Sequence, residues 1–265
     1  MIGMVHGYGL GGAGSNLWTR ETVSALCDNG ETVHLLCQES TPERYDFISA
    51  LWVYDDEGRP ERRLHRESPR PGRCIVHRPT LAVLPTYVRP DRPSDYVRSI
   101  LDLEWPAIDD YVERNVRVLR HVSETHGVRA WHVNHTILLS EALRRLQPEG
   151  IRFAVMPHGS ALEYIVQHDD AMKRLAASIL AAADRVFALN EEIRDRLARY
   201  FPDLELENRT ATVRVGVDTA RFRPVARKDR AASVERLARE LEGTPRGRTP
   251  EQARKLEEIV AHVKE

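Results

Sequence analysis

His158 follows an apolar run, Ile151 to Met156, and stands directly before Gly159, where a helical pattern begins. On a parallel sheet, a histidine in that position projects from the carboxyl edge of its strand. There it can hydrogen-bond a ligand hydroxyl or a phosphate. Gly159 removes the side chain that would hold a ligand away from the backbone. Ser160 and Glu163 lie within the next helical turn. They either orient His158 and bind hydroxyls or act as cap residues at the helix start. The plainer reading of His158 is a loop histidine satisfied by backbone groups.

A second edge of the same kind is Trp131-His132-Val133-Asn134-His135. At period two, His132 and Asn134 share one side of the strand. His132 and His135 supply two imidazoles, but no third ligand follows at zinc spacing, so no metal is expected. The third polar junction is Gly7-Tyr8-Gly9-Leu10-Gly11-Gly12-Ala13-Gly14, after the apolar run Met1 to His6. Gly7, Gly9 and Gly12 match Gly-x-Gly-x-x-Gly, and Glu39 closes the next strand where a dinucleotide fold places its ribose acid. A nicotinamide-dependent epimerase or dehydrogenase is therefore one alternative. It is weakened by the lack of a Tyr-x-x-x-Lys pair, because Tyr164 is followed by His168 and Tyr87 by Asp91. The bland alternative is a glycine turn that packs a helix on a sheet.

These junctions need a scaffold of alternating strands and helices. Strands are expected at Met1 to His6, Thr32 to Cys37, Cys74 to His77, Leu81 to Leu84, Arg129 to Val133, Ile151 to Met156, Val186 to Leu189 and Ala211 to Val215. Helices are expected after the glycine loop with Ser15 or Asn16 as cap, from Pro106 to Thr125 before Gly127, and over Leu138 to Leu146, Asp169 to Ala183 and Glu191 to Tyr200. The polar, Pro- and Arg-rich stretch 55–73 reads as a surface excursion with a hairpin tip. This alternation predicts an α/β fold with a doubly wound, mostly parallel sheet, over residues 1–225. From Ala226 the chain becomes highly charged, and helical patterns at Ser233 to Leu241 and Pro250 to Val263 make 226–265 a helical tail.

The chain has 265 residues, 42% of them hydrophobic and 30% charged, with a formal net charge of −1. That balance suits a globular protein and gives no general attraction to nucleic acid. Cys27, Cys37 and Cys74 are widely spaced and odd in number, which suggests reduced thiols in a cytoplasmic protein. No apolar run approaches the roughly 20 residues that span a bilayer, and no secretory signal is evident.

Three segments together carry a family resemblance. They are the strand ending in His158-Gly159, the run Ala183-Asp184-Arg185-Val186-Phe187-Ala188-Leu189-Asn190-Glu191, and Gly216-Val217-Asp218 leading to Phe222-Arg223-Pro224. In order and spacing they resemble the N-terminal domain of retaining, nucleotide-sugar-dependent glycosyltransferases of the GT-B fold, family four. Arg214-Val215 departs from that family's usual Pro-Asn before Gly-Val-Asp. The resemblance implies that His158 contacts the transferred sugar or the acceptor and is the catalytic position. It also implies that Gly11, Gly12, His132, Asn134, His135, Gly159, Ser160 and Glu163 line the substrate cleft. It implies a nucleotide-sugar donor, a sugar or lipid acceptor, no metal cofactor and no nucleic-acid partner. Peripheral membrane contact would follow from a lipid acceptor.

After Ala226 no second βαβ series, phosphate turn or paired-glutamate motif is found, so the donor-binding half is expected to be missing. A separate donor-binding polypeptide would then supply it, and an apolar strip left bare would favour self-association. The alternative from another class is a sugar- or lipid-binding or regulatory module without turnover.

Overall fold

In the computed structural model, residues 1–12, 14–90, 94–219 and 222–242 are described. The expected helix at Pro250 to Val263, the break at 243–247 and Ala13 of the glycine loop lie outside them. The chain divides into two compact units, Met1–Arg214 and Val215–Glu265.

The first unit is built on one sheet. Its strands are β1 (Ile2–Val5), β2 (Thr32–Leu36), β3 (Ile48–Tyr54), β4 (Pro60–His65), β5 (Arg73–Pro79), β8 (Ala130–Asn134), β9 (Arg152–Met156), β10 (Arg185–Ala188) and β11 (Thr210–Thr212). Their order is β11-β10-β9-β8-β1-β2-β5-β3-β4, and every pairing is parallel except β3 with β4. From β1 the chain winds outward in one direction to β2 and β5. It later returns beside β1 and winds the other way through β8, β9, β10 and β11. The doubly wound, mostly parallel α/β sheet expected from the alternation is therefore present. Its order reverses between β1 and β8, which is where open α/β sheets leave a crevice.

The two directions of winding place helices on opposite faces. Helix α1 (Gly14–Asp28) covers one face, where Val23 and Cys27 pack with Met4, Val33, Leu35 and Val76. On the other face, α2 (Trp105–His126), α3 (Leu139–Leu146) and α5 (Asp170–Ala182) pack against Val5, Leu36, Val133, Val155 and Val186. The α2 stripe of Ile108, Tyr111, Val112, Val116, Leu119 and Val122 is buried, as its 3.6-residue period requires. Gly127 ends α2 at φ 69°, a left-handed turn that glycine takes without cost. Asp169 and Asn190 cap α5 and α6 (Glu191–Tyr200) by accepting the N–H of Met172 and Ile193.

Several expectations need correction. Ile48–Tyr54, to which the sequence reading assigns no element, forms β3 between β5 and β4. The stretch 55–73 holds the expected hairpin tip between Tyr54 and Pro60, but the rest of it is the exposed, Arg-bearing edge strand β4 and the start of β5. Leu81 to Leu84 is not a strand. Leu84–Thr86 (β6) pairs instead with Val97–Ser99 (β7) in a separate two-stranded ribbon. Asn16 does not cap α1, because its Oδ1 is taken by His6.

In the second unit, α7 (Arg230–Leu241) is the described helix, and none of its residues is buried. Among the described residues, no helix is long and apolar enough to cross a membrane.

Candidate functional site

Three adjacent strands end in histidine. His6 follows β1, His135 follows β8, and His158 follows β9 after Pro157. Because β1, β8 and β9 are parallel neighbours, all three arrive at the same edge of the sheet, beside the crevice where the winding reverses.

Asn134, the last residue of β8, ties this edge together. Its Nδ2 donates to Thr19 Oγ1 of α1 at 2.8 Å and to His6 Nδ1 at 3.2 Å. Its Oδ1 is then the acceptor that faces His158 Nε2 at 3.0 Å, so that nitrogen carries the His158 proton. The other His6 nitrogen, Nε2, donates to Asn16 Oδ1 at 2.9 Å, and Asn16 Nδ2 donates to the Gly11 carbonyl at 2.6 Å. A single directed chain thus runs from His158 through Asn134, His6 and Asn16 to the glycine loop. His158 Nδ1 is left as a lone pair and finds no partner among the described residues.

The histidines here are uncharged at neutral pH. Burial lowers His6 to about 4 against the opposing hydrogen bond from Asn16. Burial, and then the proximity of His6 and His132, takes His158 to about 4. His132 falls to about 4 by burial, and His135 is held well below its usual value for the same reason. Neutral imidazoles exchange hydrogen bonds with hydroxyls but cannot offset the charge of a phosphate.

His135 has no hydrogen-bond partner on either nitrogen, although it is 2% exposed. It also adopts φ 72°, a conformation that non-glycine residues seldom take, and Leu138 close by has φ 58°. Its ring lies 4.1 Å from that of Tyr87 and 4.9 Å from that of His158. His132 sits between Trp18 at 5.3 Å and Phe187 at 5.8 Å, with its Nε2 buried and unpartnered. Trp18 also reaches His158 edge-on at 6.1 Å. Buried imidazole nitrogens without partners cost free energy, and they concentrate at this one edge.

Gly12 is exposed and has φ 90°, and Gly11 is exposed beside Tyr45. Gly159 opens helix α4 (Gly159–Ala161), which runs on as a π turn from Leu162 to Val166. Such turns are rare and recur at functional sites. A Cβ on Gly159 would meet only Arg196 Nη1, at 3.9 Å. Glu163 does not orient His158. It accepts a hydrogen bond from Arg196 at 2.7 Å, and Arg196 also pairs with Glu192. The α4 start has no side-chain cap hydrogen bond, so Ser160 is not acting as one.

The edge therefore gathers His158, Gly159, His132, Asn134 and His135, with Gly11 joined through the hydrogen-bond chain. Sequence reasoning missed His6, Asn16, Thr19, Trp18 and Tyr87. His6 was within reach of the same argument used for His158, since it too ends an apolar run before a glycine turn. Glu39 is engaged internally. It is 5% exposed, and its Oε2 accepts the Leu10 N–H while Oε1 accepts the N–H and Oγ1–H of Thr41. Burial raises its pKa, but these hydrogen bonds outweigh that effect and lower it overall.

No protein-family model and no curated protein matches this sequence. Among solved structures, sucrose-phosphate synthase from Thermosynechococcus elongatus matches with a TM-score of 0.56 at 17% identity. The match covers 88% of this chain and 52% of that one, so this chain spans about half the length of that structure. A second sucrose-phosphate synthase structure from the same organism matches at TM-score 0.46 and 14% identity, covering 91% of this chain and 98% of that one. The likeness is one of fold: this chain has an α/β fold like that of about half of the first sucrose-phosphate synthase structure.

Proposed function

We propose that this chain is the acceptor-side lobe of a retaining glycosyltransferase that moves a hexose from a nucleotide sugar to a hydroxyl of a sugar or lipid. The observation that carries this reading is the directed chain from His158 to Gly11, which joins two strand-end junctions into one rigid, neutral edge. His158 Nδ1, with its proton fixed on Nε2, accepts a hydrogen bond from a sugar hydroxyl. His135, whose ring lies 4.9 Å from that of His158, brings two further unpartnered nitrogens to the same edge. Gly159 lets the ligand come close to the backbone at the start of α4.

Charge developing on a leaving diphosphate needs cations or helix N-termini, and the neutral histidines supply no cation. Arg196, whose Nη1 stands beside Gly159, is already paired with Glu163 and Glu192. We therefore assign donor activation to a second lobe, whether on another polypeptide or on further sequence, and assign acceptor or sugar recognition to this chain. Holding the reactants between two walls supplies much of the rate in such chemistry.

The test is calorimetric titration of the purified chain with a panel of saccharides and nucleotide sugars, together with a transfer assay. Saccharide binding that disappears in His158→Ala while the fold persists supports the reading, as does negligible transfer by the wild-type chain alone. Robust hexosyl transfer by the unaided chain refutes the division of labour. Tight NAD binding with no response to sugars would favour the dehydrogenase or epimerase alternative. Glu39 argues against that alternative, because its carboxylate is already spent on Leu10 and Thr41.

A further inference from the structure

We propose that His34, His77 and His126 form a binding site for one divalent transition-metal ion of the zinc, nickel or copper class. The sequence reading found no third ligand near His132 and His135. This trio was invisible to spacing because its members come from β2, β5 and the end of α2. His34 and His77 alternate onto the face covered by α2, and His126 ends that helix directly above them.

Geometry carries the proposal. One ring nitrogen from each of the three residues lies within 4.8 Å of the others. His34 Nδ1 and His77 Nε2 are 3.0 Å apart. Two nitrogens bound tetrahedrally at about 2.0–2.1 Å from zinc stand about 3.3 Å apart, so this pair needs to open by only a few tenths of an ångström. His126, whose ring centroid is 4.6 Å from that of His34, has the freedom of a half-buried side chain to close the third position. It also lines an open groove of about 660 Å³, which gives an ion a way in.

The outer partner is also present. Tyr54 Oη lies 2.8 Å from His77 Nδ1. With the His77 proton on Nδ1 and donated to Tyr54, Nε2 is a lone pair available to the ion. Without the ion, the His34 Nδ1–H donates to His77 Nε2; when the ion binds, His34 carries its single proton on Nε2 instead and offers Nδ1. The ion replaces the N–H···N bond between the two rings, no proton leaves the protein, and water completes the coordination.

The donor set selects the ion class. Three imidazoles with no carboxylate suit zinc, nickel or copper and give magnesium or calcium nothing to bind.

Calorimetric titration of the metal-free, full-length chain with zinc chloride, and the visible absorption of its cobalt(II) form, test the site. One equivalent should bind, with a tetrahedral cobalt spectrum. His126→Ala, and the milder His126→Gln, should each weaken zinc binding by more than about 100-fold. Tyr54→Phe should weaken it by about 10-fold, the usual scale for losing an outer partner. His158→Ala should leave it unchanged, which separates this trio from the other buried histidines. Absence of stoichiometric binding would overturn the proposal. So would undiminished binding in folded His126→Ala and His126→Gln, or loss of binding in His158→Ala.

Discussion

His158 and Asn134 sit at the ends of neighbouring parallel strands, and the His158 Nε2–H donates to Asn134 Oδ1 over 3.0 Å. One amide side chain thereby fixes the tautomer of His158 and, through its nitrogen, that of His6. It also holds Thr19 of α1. The direction of every hydrogen bond from the glycine loop to His158 follows from this one residue. The behaviour of variants follows from it as well.

Asn134→Ala should be costly. It strands His158 Nε2 and His6 Nδ1 in a buried setting, at about 1–3 kcal/mol for each group that no water can reach, while Thr19 Oγ1 still donates to the Ser15 carbonyl. Urea unfolding should show a loss of roughly 2–4 kcal/mol, and saccharide binding should fall with it. His158→Ala should cost less stability, since it leaves the His6, Thr19 and Asn16 contacts in place, yet abolish binding. Equal stability losses in the two variants would contradict the central role of Asn134.

Stability should decline on acidification through a defined window. His6, His132 and His158 each titrate near 4 in the folded chain and near 6.5 when unfolded. Between those values the unfolded chain holds more protons, so lowering the pH favours unfolding. Each histidine contributes a slope of about 1.4 kcal/mol per pH unit from 6.5 down to 4, and none above 6.5. Chemical denaturation at intervals from pH 7.5 to about 4.5 measures this. A flat profile from pH 7 to 5 would mean that these rings are not held neutral.

Two glycines should respond in opposite ways to alanine. Gly12 has φ 90° with open space around its missing Cβ, so Gly12→Ala should lose about 1–2 kcal/mol from backbone strain alone. Gly159 begins a helix, and a Cβ there meets nothing closer than 3.9 Å. Gly159→Ala should therefore hold or raise stability, by up to about 1 kcal/mol. It should nonetheless weaken ligand binding, because the methyl group occupies the approach to the backbone. Thermal melts paired with titrations distinguish these outcomes.

Glu39→Gln should loosen the glycine loop. The substitution keeps one acceptor where the carboxylate serves both Leu10 and Thr41, and it puts an amide group in place of the other oxygen. A loss of about 1–2 kcal/mol is expected, with faster amide exchange at Leu10. NAD affinity, if any is measurable, should not track the substitution. A specific loss of NAD binding would revive the dinucleotide reading of the loop.

The scaffold was legible where local chemistry decides it. The period of α2 and its Gly127 stop, the caps Asp169 and Asn190, and the apolar strands of the second half can each be read from neighbours in the chain. Of the β3–β4 hairpin only the tip was, because Ile48–Tyr54 takes its place in the sheet by pairing with β4 and with β5, the latter over twenty residues later in the chain. The β6–β7 ribbon likewise exists through pairing rather than propensity.

The candidate site divides along the same line. The sequence by itself determined that His158, Asn134 and His135 stand at strand ends, since an apolar run ending in polar residues before a helix permits little else; His132 lies in the middle of β8. The tertiary structure decided which of them meet. Asn134 reaches across 128 residues to His6 and 115 to Thr19, Glu163 turns away to Arg196, and His34, His77 and His126 converge from three distant elements. Hydrogen bonds and ligand sets depend on distance in space to within a few tenths of an ångström. Strand order sets that distance, and strand order comes from the packing of the whole sheet.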